Sequence, residues 1–271
     1  MSSLINFPAK QNSCAKVASS RESRSDIDSA MTPLPKSHRA RCAPPLGAAA
    51  FEAFCRTFFT CYCPLRVEGR QHLPQGPFLL CSNHSSHADS AALMTASGRS
   101  FRSFALIGAS DYFFQSRYMR WLVSRWMNVI PIDRQPGPKS LTACLDSGRR
   151  FLEQSGGALI LYPEGTRSPD GEMRAFKQGA GLFAIELGVP VVPAYVEGTH
   201  RILPKGKSMP RVGAVTVRFG EALAVAPQWS LWRGESLRER RRDVVEKLAE
   251  SIRMLSSDCA QELMLGVHQK G

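Results

Sequence analysis

From residue 77 onward, short apolar runs alternate with segments of helical periodicity, and few folds accept that pattern. Strands are predicted at 77–83, 103–108, 127–132, 158–162, 190–196 and 213–219. Helices are predicted at 89–97, 115–126, 140–154, 179–187 and 236–256. Strands that take turns with helices of this length build an α/β domain. No internal repeat interrupts the series. In open sheets of this class, ligands gather beyond the carboxyl ends of the strands, so polar residues that follow apolar runs carry most weight.

The run Pro77-Phe-Leu-Leu-Cys-Ser-Asn83 leads directly into His84-Ser-Ser-His-Ala-Asp89. On a continuous helix, residues five apart are rotated by about 140° and do not meet. At a strand-turn-helix junction they do. Ser85 and Ser86 are predicted helix caps, Asp89 falls in the first turn, and the helix runs to Gly98. His84 then stands at the elbow as a base, with Asp89 as its orienting group. Two plainer readings stay open: Asp89 as a complement to the helix dipole, and a chance histidine. His84-x-x-His87-x-Asp89 also resembles part of a metal site, but a helical zinc pair needs i, i+4 spacing and a third ligand. No metal is expected.

Three more clusters adjoin predicted strands. Asp133-Arg134 follows the run ending at Ile132; Pro163-Glu-Gly-Thr-Arg-Ser168 follows the run ending at Tyr162, with Phe176-Lys-Gln-Gly179 beyond it; Val189-Pro-Val-Val-Pro193 opens another strand. Arg134, Arg167 and Lys177 would bring positive charge to the rim that carries His84. A guanidinium fork donates two hydrogen bonds to a phosphate, and Gly165 lets backbone N–H groups approach an anion. Glu164 either orients a substrate hydroxyl or pairs with an arginine.

A formal charge of +12 points to an anionic partner. Nucleic acid is the weaker choice, because no recognition module is present. The eight cysteines lack C-x-x-C spacing and read as free thiols in a reducing compartment, with Cys61 and Cys63 filling space in a helix. No apolar stretch reaches the roughly 18 residues of a membrane span, so membrane contact is expected to be interfacial, at the cytoplasmic face.

Residues 1–44, with seven basic and three acidic residues, have the composition of a disordered basic tail. Residues 45–260 form the predicted catalytic domain and 261–271 a C-terminal tail. The segment 46–63 predicts an amphipathic helix with Phe51, Phe54, Phe58 and Tyr62 on one face and Glu52, Arg56 and Thr60 on another. That aromatic face either packs on the domain or anchors it in a bilayer interface. In the last helix, Arg238, Arg240, Arg241 and Arg242 read as a solvated face.

Asn83-His84-Ser-Ser-His-Ala-Asp89, Val129-Ile-Pro-Ile-Asp-Arg134, Tyr162-Pro-Glu-Gly-Thr-Arg-Ser168 and Val189-Pro-Val-Val-Pro193 resemble the four ordered motifs of the glycerolipid acyltransferase family. Phe176-Lys-x-Gly179 adds to the likeness, which covers roughly residues 50–225. Asn128 stands where the family commonly has Gly, and this bears on the acceptor pocket; Tyr162 stands where it usually has Phe.

The resemblance implies a mixed, mostly parallel sheet flanked by helices, with an N-terminal helix that engages the membrane. It implies His84 as general base and Asp89 as its partner, with Arg134, Glu164, Gly165, Thr166 and Arg167 at the acceptor phosphate or headgroup and Lys177 beside them. The implied substrates are a lysophospholipid, foremost 1-acylglycerol 3-phosphate, and an acyl thioester carried by coenzyme A or acyl carrier protein. No metal or organic cofactor beyond that carrier is implied. Two other classes stay open: a thioester or lipid hydrolase, and a non-catalytic lipid-binding protein.

Overall fold

A computed structural model describes residues 45–109, 126–133, 137–204, 206–207, 209–225 and 236–256. The expected terminal tails, the helix expected at 115–126 except its last residue, and Arg134 lie outside the described residues. Seven strands run through the described chain: β1 Leu65–Glu68, β2 Phe78–Ser82, β3 Phe104–Ala109, β4 Asn128–Ile132, β5 Ala158–Leu161, β6 Val191–Glu197 and β7 Val215–Phe219. The α-helices are α1 Pro45–Cys61, α2 Asp89–Ser97, α3 Pro138–Ser155, α4 Gly179–Leu187, the short α5 Thr199–Ile202, and α6 Leu237–Met254.

These strands form one mixed sheet in the order β1-β7-β6-β2-β5-β3-β4. Every neighbouring pair is parallel except β6 with β7. The mixed, mostly parallel α/β architecture expected from the sequence is the one observed. β1 was not predicted. It is short, half-exposed along most of its length, and finds its partner in β7, the last of the described strands.

β2 is buried at all five positions because helices cover both faces of the sheet. Phe78 and Leu80 point into a core shared with α1 and α2, whereas Leu79 and Cys81 point into a core shared with α3, α4 and α6. Period-2 alternation thus feeds two layers from one apolar run. Burying each such side chain stabilises the fold by roughly 1.5–3 kcal/mol. β2 lies between β5 and β6, so the loops after these three strands are neighbours at one end of the sheet.

α1 divides the expected aromatic face: Phe51 and Phe58 pack against the core, whereas Phe54 and Tyr62 are exposed. Ala48, Cys55 and Phe59 are buried, and Phe51 stacks on Trp126 at 5.3 Å. Glu52 and Arg56 are not a solvated face: Glu52 accepts the Phe101 N–H, and Arg56 donates to Glu52 and to the Arg99 carbonyl. Cys63 lies past the end of the helix and is buried, with its Sγ against the Arg211 carbonyl; Cys61 is exposed.

α6 begins with a capping box between Ser236 and Glu239. It buries Val245, Leu248, Ala249 and Ile252, leaving Arg238 and Arg242 exposed with Arg240 and Arg241 half-buried. Asn128 sits at the amino end of β4 and donates to the Arg102 and Phe104 carbonyls. That end of the sheet is opposite the loop that carries His84, and there Asn128 staples β4 to the start of β3.

Candidate active site

The elbow after β2 is built by Asn83. Its side-chain amide donates to the Val196 carbonyl and its oxygen accepts the Val196 N–H, at 2.9 and 2.8 Å. The side chain therefore completes the ladder to β6 while the backbone turns out of the sheet. His84 emerges at this turn. Its Nδ1 lies 2.9 Å from Asp89 Oδ2, and the same oxygen accepts the backbone N–H groups of Ser85 and Ser86, each at 2.8 Å. The expected capping is thus partly reversed: Asp89 holds the serine amides, while Ser86 Oγ accepts the Ala88 N–H and donates to the Leu203 carbonyl.

Asp89 is fully buried and the His84 side chain is 18% exposed. A carboxylate only accepts, so it selects the tautomer with Nδ1–H and leaves the Nε2 lone pair available. That is the arrangement of a base with its orienter.

The imidazole is also held from its face. Tyr162 stacks on His84 with ring centroids 3.8 Å apart and planes 12° from parallel. The Tyr162 hydroxyl lies 2.6 Å from Ser90 Oγ, one residue after Asp89. Burial, with the charge of Asp89, pushes this phenol well above its usual range, so it stays neutral.

The loop after β5 clamps the His84 peptide at both ends. Glu164 Oε1 accepts the His84 N–H at 2.8 Å, and the Ser168 N–H donates to the His84 carbonyl at 2.8 Å. The other Glu164 oxygen accepts the Arg174 N–H at 3.3 Å. Glu164 is only 3% exposed. Burial, helped by the charge of Asp89, pushes its carboxyl up to about 7, against the two backbone bonds that pull it down. This geometry makes Glu164 a buried strut, distinct from a group presented to an acceptor.

Gly165 has φ +67°, and a Cβ there would lie 2.8 Å from Lys177 Nζ. The absent side chain is therefore the space that the Lys177 stem occupies. Thr166 is exposed and Arg167 half-exposed on the same loop. Arg167 lies near enough to His87 to oppose its protonation. Loss of hydration is the first cause of that depression, with the charges of Arg167 and His84 added.

Thr199, fully buried, sets its Oγ1 3.3 Å from Ser85 Oγ and joins the end of β6 to the elbow. The structure therefore gathers His84, Asp89, Glu164, Gly165, Thr166, Arg167 and Lys177 at one end of the sheet. Among the described residues, no group of three or more His, Cys, Asp or Glu could hold a metal ion.

Residues 64–197 match the model of the family described as Acyltransferase, and this span contains the elbow, the clamp and the stacked tyrosine. This part of the chain belongs to the acyltransferase family. The chain is 35% identical over 144 residues to the chloroplastic 1-acyl-sn-glycerol-3-phosphate acyltransferases of Arabidopsis thaliana and Brassica napus, over 52% of this chain and 38% and 39% of theirs. It thus spans about two-fifths of the length of these curated relatives. The acyltransferase fold is shared with the crystal structure of the 1-acyl-sn-glycerophosphate acyltransferase PlsC of Thermotoga maritima, with a TM-score of 0.53 and 25% identity, over 78% of this chain and 81% of that one.

Asn83, Ser90, Ser168 and Thr199 escaped the sequence reading as contributors to the site. Asn83 and Ser168 are at least flagged by their places at the ends of motifs. Ser90 and Thr199 carry no such signal.

Proposed function

We propose that this chain transfers a fatty acyl group from an acyl thioester to the free hydroxyl of a lysophospholipid, with 1-acylglycerol 3-phosphate as acceptor and phosphatidate as product. The observation that carries this reading is the His84–Asp89 pair fixed at 2.9 Å beyond the end of β2, with the 163–168 loop bonded to its backbone. The names of the relatives support the choice of acceptor.

In this mechanism His84 Nε2 takes the proton of the acceptor hydroxyl as its oxygen attacks the thioester carbonyl. Asp89 stabilises the imidazolium that forms. As the tetrahedral intermediate collapses, the C–S bond breaks and His84 returns the proton to the departing thiolate. Arg134, Arg167 and Lys177 balance the acceptor phosphate, with Gly165 and Thr166 lining its approach. Glu164 positions His84 through its peptide N–H. The donor carrier is coenzyme A or acyl carrier protein, with no metal and no other cofactor. The enzyme works at a membrane surface, which it meets through α1 without spanning it.

Incubating the purified protein with one labelled acyl thioester and a panel of lysolipids, followed by mass spectrometry, tests the reading. Conversion of lysophosphatidate with matching thiol release is expected. Free fatty acid formed without any acceptor would identify a hydrolase instead. His84→Ala should lower turnover about 10²–10⁴-fold, and Asp89→Asn by a similar factor, because an amide no longer enforces the required tautomer. Near-normal turnover in either variant, with an unchanged melting curve, would sink the mechanism.

A further inference from the structure

Along α1, Phe54, Phe58 and Tyr62 form a ladder of ring contacts that leads from the partly buried Phe58 out to solvent, with successive ring centroids 6.1 and 5.3 Å apart. Phe54 is 63% exposed. Beside the foot of this ladder runs the segment that joins α5 to β7. The Tyr62 hydroxyl donates to the Pro210 carbonyl at 3.2 Å, and the next residue, Cys63, contacts the Arg211 carbonyl.

Two side chains of this segment, Met209 and Val212, are 79% and 72% exposed. The position is not slack. The Arg211 N–H donates to the Ile202 carbonyl at 2.7 Å, and Ile202 is buried. Methionine and valine are thus held outward by a backbone that is tied at both flanks.

We infer that the Met209–Val212 segment is a second bilayer-contacting element, which inserts beside the α1 ladder into an anionic lipid surface. This rests on the membrane reading proposed for α1 and extends it to a part of the chain that lies beyond β6 in sequence. The charge around the segment favours lipid over another protein. Residues 199–214 contain Arg201, Lys205, Lys207 and Arg211 and no Asp or Glu, and Lys207 and Arg211 are exposed. Apolar side chains flanked by a run of cations suit an interface where hydrocarbon lies just below phosphate.

The segment also leads to the chemistry. It leaves the site at Leu203, whose carbonyl accepts the Ser86 hydroxyl at 2.7 Å, and reaches the ladder at Pro210.

The test uses the full chain and co-sedimentation with vesicles of phosphatidylcholine containing phosphatidylglycerol. Removing two interfacial apolar side chains, Met209→Ser with Val212→Ser, should weaken partitioning about tenfold. Turnover of a short-chain, monodisperse lysophosphatidate should stay within about twofold, since neither residue touches the site. Unchanged vesicle binding by the double variant, while the parent binds, would overturn the segment's role and leave that of α1 standing. A parent protein that binds no vesicles would overturn both. If the variant instead changes the sedimentation mass of the protein in solution and not its vesicle binding, the surface is an interface between copies and the inference is wrong.

Discussion

Glu164 shows how a single carboxylate changes meaning once its partners are known. It accepts the amide N–H of His84 and that of Arg174. Its carboxyl, pushed up to about 7 by burial first, binds a proton more tightly in the folded chain than its ordinary value near 4.5 allows. The unfolded state therefore holds fewer protons between those values, and the folded state gains stability as pH falls from 7 towards 4.5. Above 7 the destabilisation is complete, up to about 3 kcal/mol. Glu164→Gln should flatten this part of a stability–pH profile recorded by denaturant titration. An unaltered slope would mean that another group titrates there.

Tyr162 makes a similar point. Its phenol ring is pinned by Ser90 and pressed flat on the imidazole, so a residue that departs from the family pattern stands in direct ring contact with His84. The His84–Asp89 pairing was legible because five-residue spacing only works at an elbow. The role of Glu164 was not, because a carboxylate in a loop after a strand reads the same whether it faces solvent or a buried amide from a distant part of the chain.

At the level of elements, the sequence identified most strands and helices, and it left open where the aromatic face of α1 turns, to the domain or to a bilayer. The helix divides that face: Phe51 packs inward beside Ala48, Cys55 and Phe59, and Phe58 is partly buried against the same core, while Phe54 and Tyr62 stay outside. A hydropathy pattern weighs every Phe alike and so does not show which rings the core takes.

Close approach governs α4 against α6. A Cβ on Gly181 would lie 2.5 Å from the Arg241 carbonyl oxygen and 3.0 Å from Val245. Alanine is the better helix former by roughly 0.5–1 kcal/mol, but overpacking costs about 1–3 kcal/mol, so the clash wins. Gly181→Ala should lower Tm by about 2–6 °C while leaving turnover at low temperature intact. A higher Tm would show that α6 yields without cost.

For the whole molecule, a charge of +12 sets a long-range pull towards anionic surfaces, while the apolar ladder acts only on contact. The two separate in salt. Near 1 M ionic strength the screening length falls to about 3 Å, so affinity for anionic vesicles should drop about tenfold or more, whereas the weaker binding to neutral vesicles should hold. Equal losses on both would mean that the aromatic surface contributes little. The mixed sheet was legible as a class, but its order was not, since β1 and β7 meet across nearly the whole domain.

That order has a consequence for a chain made from its amino end. β2 takes its two neighbours from β5 and β6, and β1 pairs with β7. A nascent chain that has left the ribosome as far as Leu187 holds the base, its aspartate and the clamp, yet lacks the strand that Asn83 must grip. The α1 helix is meanwhile without the segment that will lie at its foot, so its outer rings stay uncovered on that side until the chain beyond β6 has been made.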